Sequence, residues 1–331
     1  MQTPKLFCTL PEELCCTPDG MAVYRDGDLI LSAANYADDS MPGLILKIDR
    51  DKNIKKWVDV PVHPETGLAR PMGIAFGPDW DLYVVDNQGW SGREDLVFKG
   101  RILRLHIEND RLVSYKTVAS GMEHPNGMRI KDGYIYVTQS TLSKVKDPSG
   151  RLVSCVYRFA LDDEGVVCSN TLDDRHILTT FITHNPKCQY GVDGIEFDLN
   201  GDLLVGNFGD GAVHRIVFNP DGSVKDNFVW AKDPTNLKST DGFILDPGTG
   251  YLYIADFSAN AIGMVKPDAT VSRIAQSPDS DGLNGELDEP GEPCIWNGKL
   301  VVSCFDLVCD EDKVNTAHEM PATMSMLELE K

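Results

Sequence analysis

Six times along the chain, a short phrase recurs in which a small polar dipeptide opens an apolar strand. The phrases are Pro18-Asp19-Gly20-Met21-Ala22-Val23, Pro71-Met72-Gly73-Ile74-Ala75-Phe76, Pro125-Asn126-Gly127-Met128-Arg129-Ile130, Val192-Asp193-Gly194-Ile195-Glu196-Phe197, Thr240-Asp241-Gly242-Phe243-Ile244-Leu245 and a degenerate Gly291-Glu292-Pro293-Cys294-Ile295-Trp296. From Asp19 the steps to Met72, Asn126, Asp193, Asp241 and Glu292 are 53, 54, 67, 48 and 51 residues. Such a period marks copies of one supersecondary unit, with the dipeptide at the same place in each.

Each copy reads as four short strands. After the apolar strand of the phrase comes a turn, and then a second strand: Leu29–Ala33, Leu82–Val85, Tyr134–Thr138, Leu203–Gly206, Leu252–Ala255 and Leu300–Ser303. Four of the turns carry Asp26-Gly27, Asp132-Gly133, Asn200-Gly201 and Asn297-Gly298, a strong hairpin signal. Third strands follow at 44–49, 101–107, 154–161, 212–218 and 261–265, and outer strands at 55–60, 114–120, 177–183, 226–231 and 271–276. The sixth copy has a third strand at 323–330 and no fourth after it, whereas residues 5–11 read as an outer strand ahead of the first phrase. The expected fold is all-β: one domain over 1–331, a six-bladed β-propeller of four-stranded antiparallel blades, with the N-terminal strand completing the last blade.

Net charge is −20, from 31 basic and 51 acidic residues. That excludes nucleic acid and anionic membrane surfaces as natural partners and favours a cation. No stretch approaches 18 apolar residues and no signal peptide is visible, which predicts a cytoplasmic protein. The nine cysteines form no CxxC pair and read mostly as buried thiols. Cys15–Cys188 and Cys304–Cys309 stay open as bridges.

In a propeller the dipeptides gather at the mouth of the central channel. Asp19, Asn126, Asp193 and Asp241 then bring three carboxylates and an amide together, and like charges that close need a counter-ion. An all-oxygen set suits Ca2+, Mg2+ or Mn2+ better than Zn2+. Glu292 is a further ligand or a partner to one, and Met72 lines an apolar wall. Alone, an Asp-Gly marks a turn, as at Asp221-Gly222. Position ahead of the inner strand sets the four apart. Three connections are long, 87–100, 139–153 and 305–322, and predict a rim over the mouth. The first carries Trp90 and Arg93, the last Asp306 and Asp310. Further candidates to touch substrate are Asn87, Tyr190, Asn207 and His124. Asn35, Phe208, Phe257 and Phe305 end second strands, and the phenylalanines read as packing between blades. His106, His176 and His214 lie in or beside outer strands and read as structural.

The phrases around Asp19, Asn126, Asp193 and Asp241 resemble those of the family that includes senescence-marker protein, gluconolactonase and luciferin-regenerating enzyme, over residues 5–330. The resemblance implies a six-bladed propeller with an axial divalent metal, usually calcium. It places a ligand on Asp19, where the family usually has glutamate in a Glu-Gly-Pro phrase. It places others on Asn126 and on Asp193, usually asparagine. The residue that is both ligand and catalytic base or nucleophile falls on Asp241. A paraoxonase-type histidine dyad is not evident, because Met72 holds the relevant position. The implied function is a metal-dependent hydrolase, most simply a lactonase acting on a small lactone or ester. The alternatives are a phosphotriesterase-like hydrolase, a strictosidine-synthase-like condensing enzyme, and a non-enzymatic ligand-binding propeller with a structural metal. Substrate identity and oligomeric state are open at this level.

Overall fold

The computed structural model describes residues 1–308 and 313–330. Six antiparallel sheets follow one another along the chain as the blades of a six-bladed β-propeller. The chain groups into two compact units, Pro11–Ile182 and Met1–Leu10 with Thr183–Lys331.

The unit Pro11–Ile182 holds three blades. Blade one runs Pro18–Val23, Leu29–Ala33, Leu44–Ile48, Ile54–Asp59. Blade two runs Pro71–Phe76, Leu82–Asp86, Gly100–Glu108, Arg111–Met122, and blade three Pro125–Lys131, Tyr134–Gln139, Val153–Ala160, Ile177–Ile182. The second strands Leu29–Ala33 and Leu82–Asp86 are buried along their whole length, as continuous apolar runs predict when both faces meet other sheets. In the outer strand Ile54–Asp59, Lys55 and Lys56 face water while Trp57 and Val58 are buried. Ile30, Ile45, Trp57, Ile74, Val84 and Leu103 form part of the core that joins blades one and two.

The second unit holds blades four to six. Blade four runs Val192–Phe197, Leu203–Asn207, Ala212–Phe218, Val224–Lys232, and blade five Phe243–Leu245, Leu252–Asp256, Ala261–Val265, Val271–Gln276. Blade six runs Pro290–Trp296, Lys299–Cys304, Thr323–Glu328 and then Lys5–Thr9, so the N-terminal strand supplies its outer edge as expected. Its register pairs Lys5 with Met326 and Thr9 with Thr323. Phe7 meets the Trp296 ring edge-on at 5.6 Å.

Turn chemistry follows the residues. Asp132 and Gly133 have φ of 49° and 82°, and Asn297 and Gly298 have 48° and 73°, so both pairs make hairpin turns with two left-handed residues. One strand was absent from the sequence pattern. Val166–Val167 adds to the edge of blade two, parallel to its outer strand, pairing Val166 with Ala119 and Val167 with Ser120. Two residues are too few to show a period. Among the described residues the only helical turn is the 3-10 turn Phe257–Ala259, and no helix is long and apolar enough to cross a membrane. Cys15, Cys188 and Cys304 form no disulfide, so Cys15 and Cys188 are not bridged. Cys309 and Asp310 lie outside the described residues.

Candidate functional site

The recurring dipeptide is a β-bulge. In blade one, pairing jumps from Pro18–Ala33 to Met21–Leu31, so Asp19 and Gly20 together oppose Ser32. The same jump occurs at Pro71–Ile74, Pro125–Met128, Val192–Ile195 and Pro290–Pro293. A bulge bends its strand and re-aims a side chain out of the pleat. Hydroxyls brace it where they are present: Ser32 Oγ donates to the Met72 carbonyl (2.7 Å), and Thr138 Oγ1 accepts from Gly127 N (2.8 Å).

Four of the phrase glycines have a steric cause. A Cβ on Gly20 would drive into the Met72 carbonyl oxygen, and one on Gly73 into that of Asn126. In the other unit, a Cβ on Gly194 would strike the Asp241 carbonyl oxygen, and one on Gly242 the Gly291 carbonyl and the Glu292 carboxylate. Neighbouring inner strands therefore touch backbone to backbone at the dipeptide. Within Pro11–Ile182 this sets the Asp19, Met72 and Asn126 positions side by side. Within the other unit it does so for Asp193, Asp241 and Gly291.

This register corrects the sixth phrase. Pro290 pairs as Pro18, Pro71 and Pro125 do, and Pro293 pairs as Met21 does. Gly291 thus holds the place of Asp19, and Glu292 the place of the following glycine. Ser303 Oγ accepts from Glu292 N (3.0 Å), as Thr138 accepts from Gly127. Aligning the leading prolines would have revealed the shift. Glu292 lies one residue off the ligand position, and its carboxylate packs on Gly242.

Asp19, Asn126 and Asp193 are 6%, 5% and 3% exposed. Asp241 is more open, and its Oδ1 accepts from Gly242 N (2.9 Å). His124 is buried, and desolvation pushes its imidazole down to about 3, so it is neutral at pH 7. Asn207 Oδ1 accepts from Thr183 Oγ1 (3.0 Å), which ties it to the lead-in of its own blade. Asn35 is similarly engaged, accepting from Cys16 N and donating to Pro42 O (2.9 and 2.8 Å). Tyr190, Phe208, Phe257 and Phe305 form a continuous aromatic row with centroids 5.1, 5.8 and 5.9 Å apart. The phenylalanines pack between blades, as expected. His106, His176 and His214 bond to Asp81, Asp174 and Asn227.

The residue just past each second strand is Phe208, Phe257 or Phe305 in one unit and Ala34, Asn87 or Ser140 in the other. Asn87 is fully buried, and neither of its amide atoms has a hydrogen-bond partner. Such a group costs stability unless a ligand or water meets it. Beside it, Tyr36 donates its hydroxyl to Asn87 O (2.6 Å) and stacks on Trp90 at 4.6 Å. Tyr36 and Trp90 line a cavity of about 370 Å³ with Arg70, Gln88, Arg93 and Asp39. Both arginines reach Asp39, Arg70 at 2.6 Å and Arg93 at 2.8 Å. Burial, and then the Asp86 charge, push the Tyr36 phenol well up, with a further contribution from Asp19. Trp90 and Arg93 thus line a cavity in the first unit. Tyr36 and Arg70 were missed because neither lies in a phrase or a long connection.

Asp86 holds this end of blade two together. Its Oδ1 accepts from Arg70 N (2.7 Å) and Gln88 Nε2 (2.8 Å), and its Oδ2 accepts from Arg101 Nε at 2.6 Å. Both partners of the ion pair are almost wholly buried. Asp86→Ala strands the Arg101 charge, and is expected to cost about 3–5 kcal/mol in chemical denaturation. A loss below about 1 kcal/mol would show that water reaches Arg101.

The sequence matches no family model and no curated protein. Solved structures are similar over nearly the whole chain. A gluconolactonase from Xanthomonas campestris is 15% identical, covers 98% of this chain and 94% of its own, and has a TM-score of 0.56. Regucalcin from Agrobacterium tumefaciens, described as a calcium-binding protein, is 12% identical over 98% and 93%, with a TM-score of 0.60. The PQQ-bound aldose sugar dehydrogenase of Streptomyces coelicolor is 18% identical over 98% of both chains, with a TM-score of 0.62. At these identities the likeness establishes the fold, which hosts more than one chemistry.

Proposed function

We propose that this propeller is a divalent-metal-dependent hydrolase that opens small, sugar-type lactones. The observation that carries the reading is the repeated bulge, which gives Asp19, Asn126, Asp193 and Asp241 one common structural position. The donor set is hard oxygen throughout, which fits calcium best and magnesium or manganese next. Within each unit, Gly20, Gly73, Gly194 and Gly242 allow the close backbone approach of neighbouring inner strands. The fold-level likeness to a gluconolactonase and to a calcium-binding regucalcin supports the same choice. The unbridged thiols fit a cytoplasmic setting.

A cation held by these four residues would polarise the lactone carbonyl. Asp241, the most open of the four, takes the proton from the attacking water or attacks the carbonyl carbon itself. Asn87 offers its unpaired amide to substrate hydroxyls. Trp90 and Tyr36 present aromatic faces to a sugar ring, and Arg93 suits an acidic substituent.

The test is metal analysis of the purified protein followed by turnover on a panel of lactones, esters and a phosphotriester. Calcium, magnesium, manganese and zinc are each supplied in turn. Lactone hydrolysis that vanishes with EDTA and returns with calcium is the expected result. Turnover of the phosphotriester alone would move the activity to that class. Calcium binding without turnover of any substrate would leave a ligand-binding propeller.

A further inference from the structure

Blade six carries acidic side chains that neither the repeat nor the proposed reaction uses. Asp288 stands two residues ahead of Pro290–Trp296, Asp306 two residues past Lys299–Cys304, and Glu319 four residues ahead of Thr323–Glu328. One carboxylate oxygen from each lies within 4.8 Å of the other two. Asp288 and Asp306 are 1% and 2% exposed, and Glu319 is half-buried.

These carboxylates lack the partners that burial demands. Asp288 Oδ1 and Glu319 Oε2 are buried with no hydrogen bond, and so is Oε1 of the adjoining Glu289. Each such oxygen gives up water without gaining a partner, at a cost that rises when it is charged. Asp306, by contrast, is firmly aimed. Its Oδ1 accepts from Asn315 Nδ2 (3.1 Å), and its Oδ2 accepts from Glu319 N (2.8 Å). His318 Nδ1 lies 3.3 Å from Oδ2. Glu289 Oε2 accepts from Leu307 N (2.8 Å). Burial has thus taken water from Asp288 Oδ1, Glu289 Oε1 and Glu319 Oε2 without giving them a donor.

We propose that Asp288, Asp306 and Glu319 form a divalent-cation site within blade six, independent of the residues assigned to hydrolysis. The set is oxygen only. Three carboxylate oxygens within 4.8 Å of one another are close enough to share one hard divalent cation, of which calcium takes carboxylates most readily. The ion would join three segments at one point: the lead into the inner strand, the exit of the second strand, and the end of the 305–322 connection. That connection carries Lys313, whose ammonium lies 4.7 Å from the Phe257 ring centroid and 5.6 Å from that of Phe208. Its role is to fasten this rim to the blade.

The test is calorimetric calcium titration of EDTA-stripped, full-length protein. Wild type is compared with Asp288→Asn, Glu319→Gln and Asp193→Asn. Glu319→Gln and Asp288→Asn are each expected to remove one calcium equivalent, or weaken it by at least about 10–100-fold, and to abolish part of the calcium-induced rise in Tm. Asp193→Asn is expected to leave that equivalent intact. Glu319 is only half-buried, so its variant tests the site even if Asp288→Asn does not fold. Unchanged stoichiometry and affinity in Glu319→Gln would overturn the site and show protonated, mutually bonded carboxyls instead. Failure of the hydrolase reading looks different: the equivalent removed by Glu319→Gln persists, while Asp193→Asn changes nothing and no lactone is turned over.

Discussion

Asp241→Asn is expected to lower kcat for lactone hydrolysis by at least about 10²–10⁴-fold, the range a lost general base commands. The fold should survive. Asparagine keeps an oxygen that can accept from Gly242 N, the bond Asp241 Oδ1 makes, and Asp241 is partly exposed. Its backbone contacts are also untouched: Asp241 N donates to Ala255 O (3.0 Å), and its carbonyl abuts Gly194. The variant therefore separates chemistry from architecture. Calcium affinity measured on the same sample separates a lost base from a lost ligand. A kcat within a few-fold of wild type, with normal metal content, would remove Asp241 from the reaction.

Deleting residues 1–10 is expected to give the largest loss of stability. Phe7 and Leu10 are 4% and 2% exposed, and burial of each contributes about 1.5–3 kcal/mol. The deletion also strips the ladder partner from Thr323–Glu328 and leaves that edge open. Gly285, with φ of 95°, sits so close on the Leu6 backbone that no side chain fits, so the strand is enclosed from a second direction. A loss of about 4–6 kcal/mol corresponds to a Tm lower by about 6–9 °C for a chain of this length, and the exposed edge should promote aggregation. A truncated protein that stays soluble and melts with the wild type would show that blade six is complete with three strands.

Much of this was legible beforehand. Strand boundaries such as Leu29–Ala33, Ala212–Phe218 and Val271–Gln276 agree with the sequence reading to the residue, because alternating or continuous apolar runs between Gly turns admit one assignment. The completion of blade six by residue 5 onward followed from counting strands. The sixth phrase was misplaced by one residue. Its pattern is degenerate, and an apolar run alone does not say which two residues oppose one across a bulge.

Sequence by itself determined the blade count, the order of the strands and the shared position of Asp19, Asn126, Asp193 and Asp241. All of these are periodic, and period is a one-dimensional property. Only the tertiary structure decided that Gly291 rather than Glu292 holds the sixth position, and that Asn87 is buried with its amide unpaired. It also drew Asp288, Asp306 and Glu319 within 4.8 Å of one another. Those facts depend on cross-strand register and on segments that meet without any repeat between them. No spacing along the chain encodes a contact that packing alone creates.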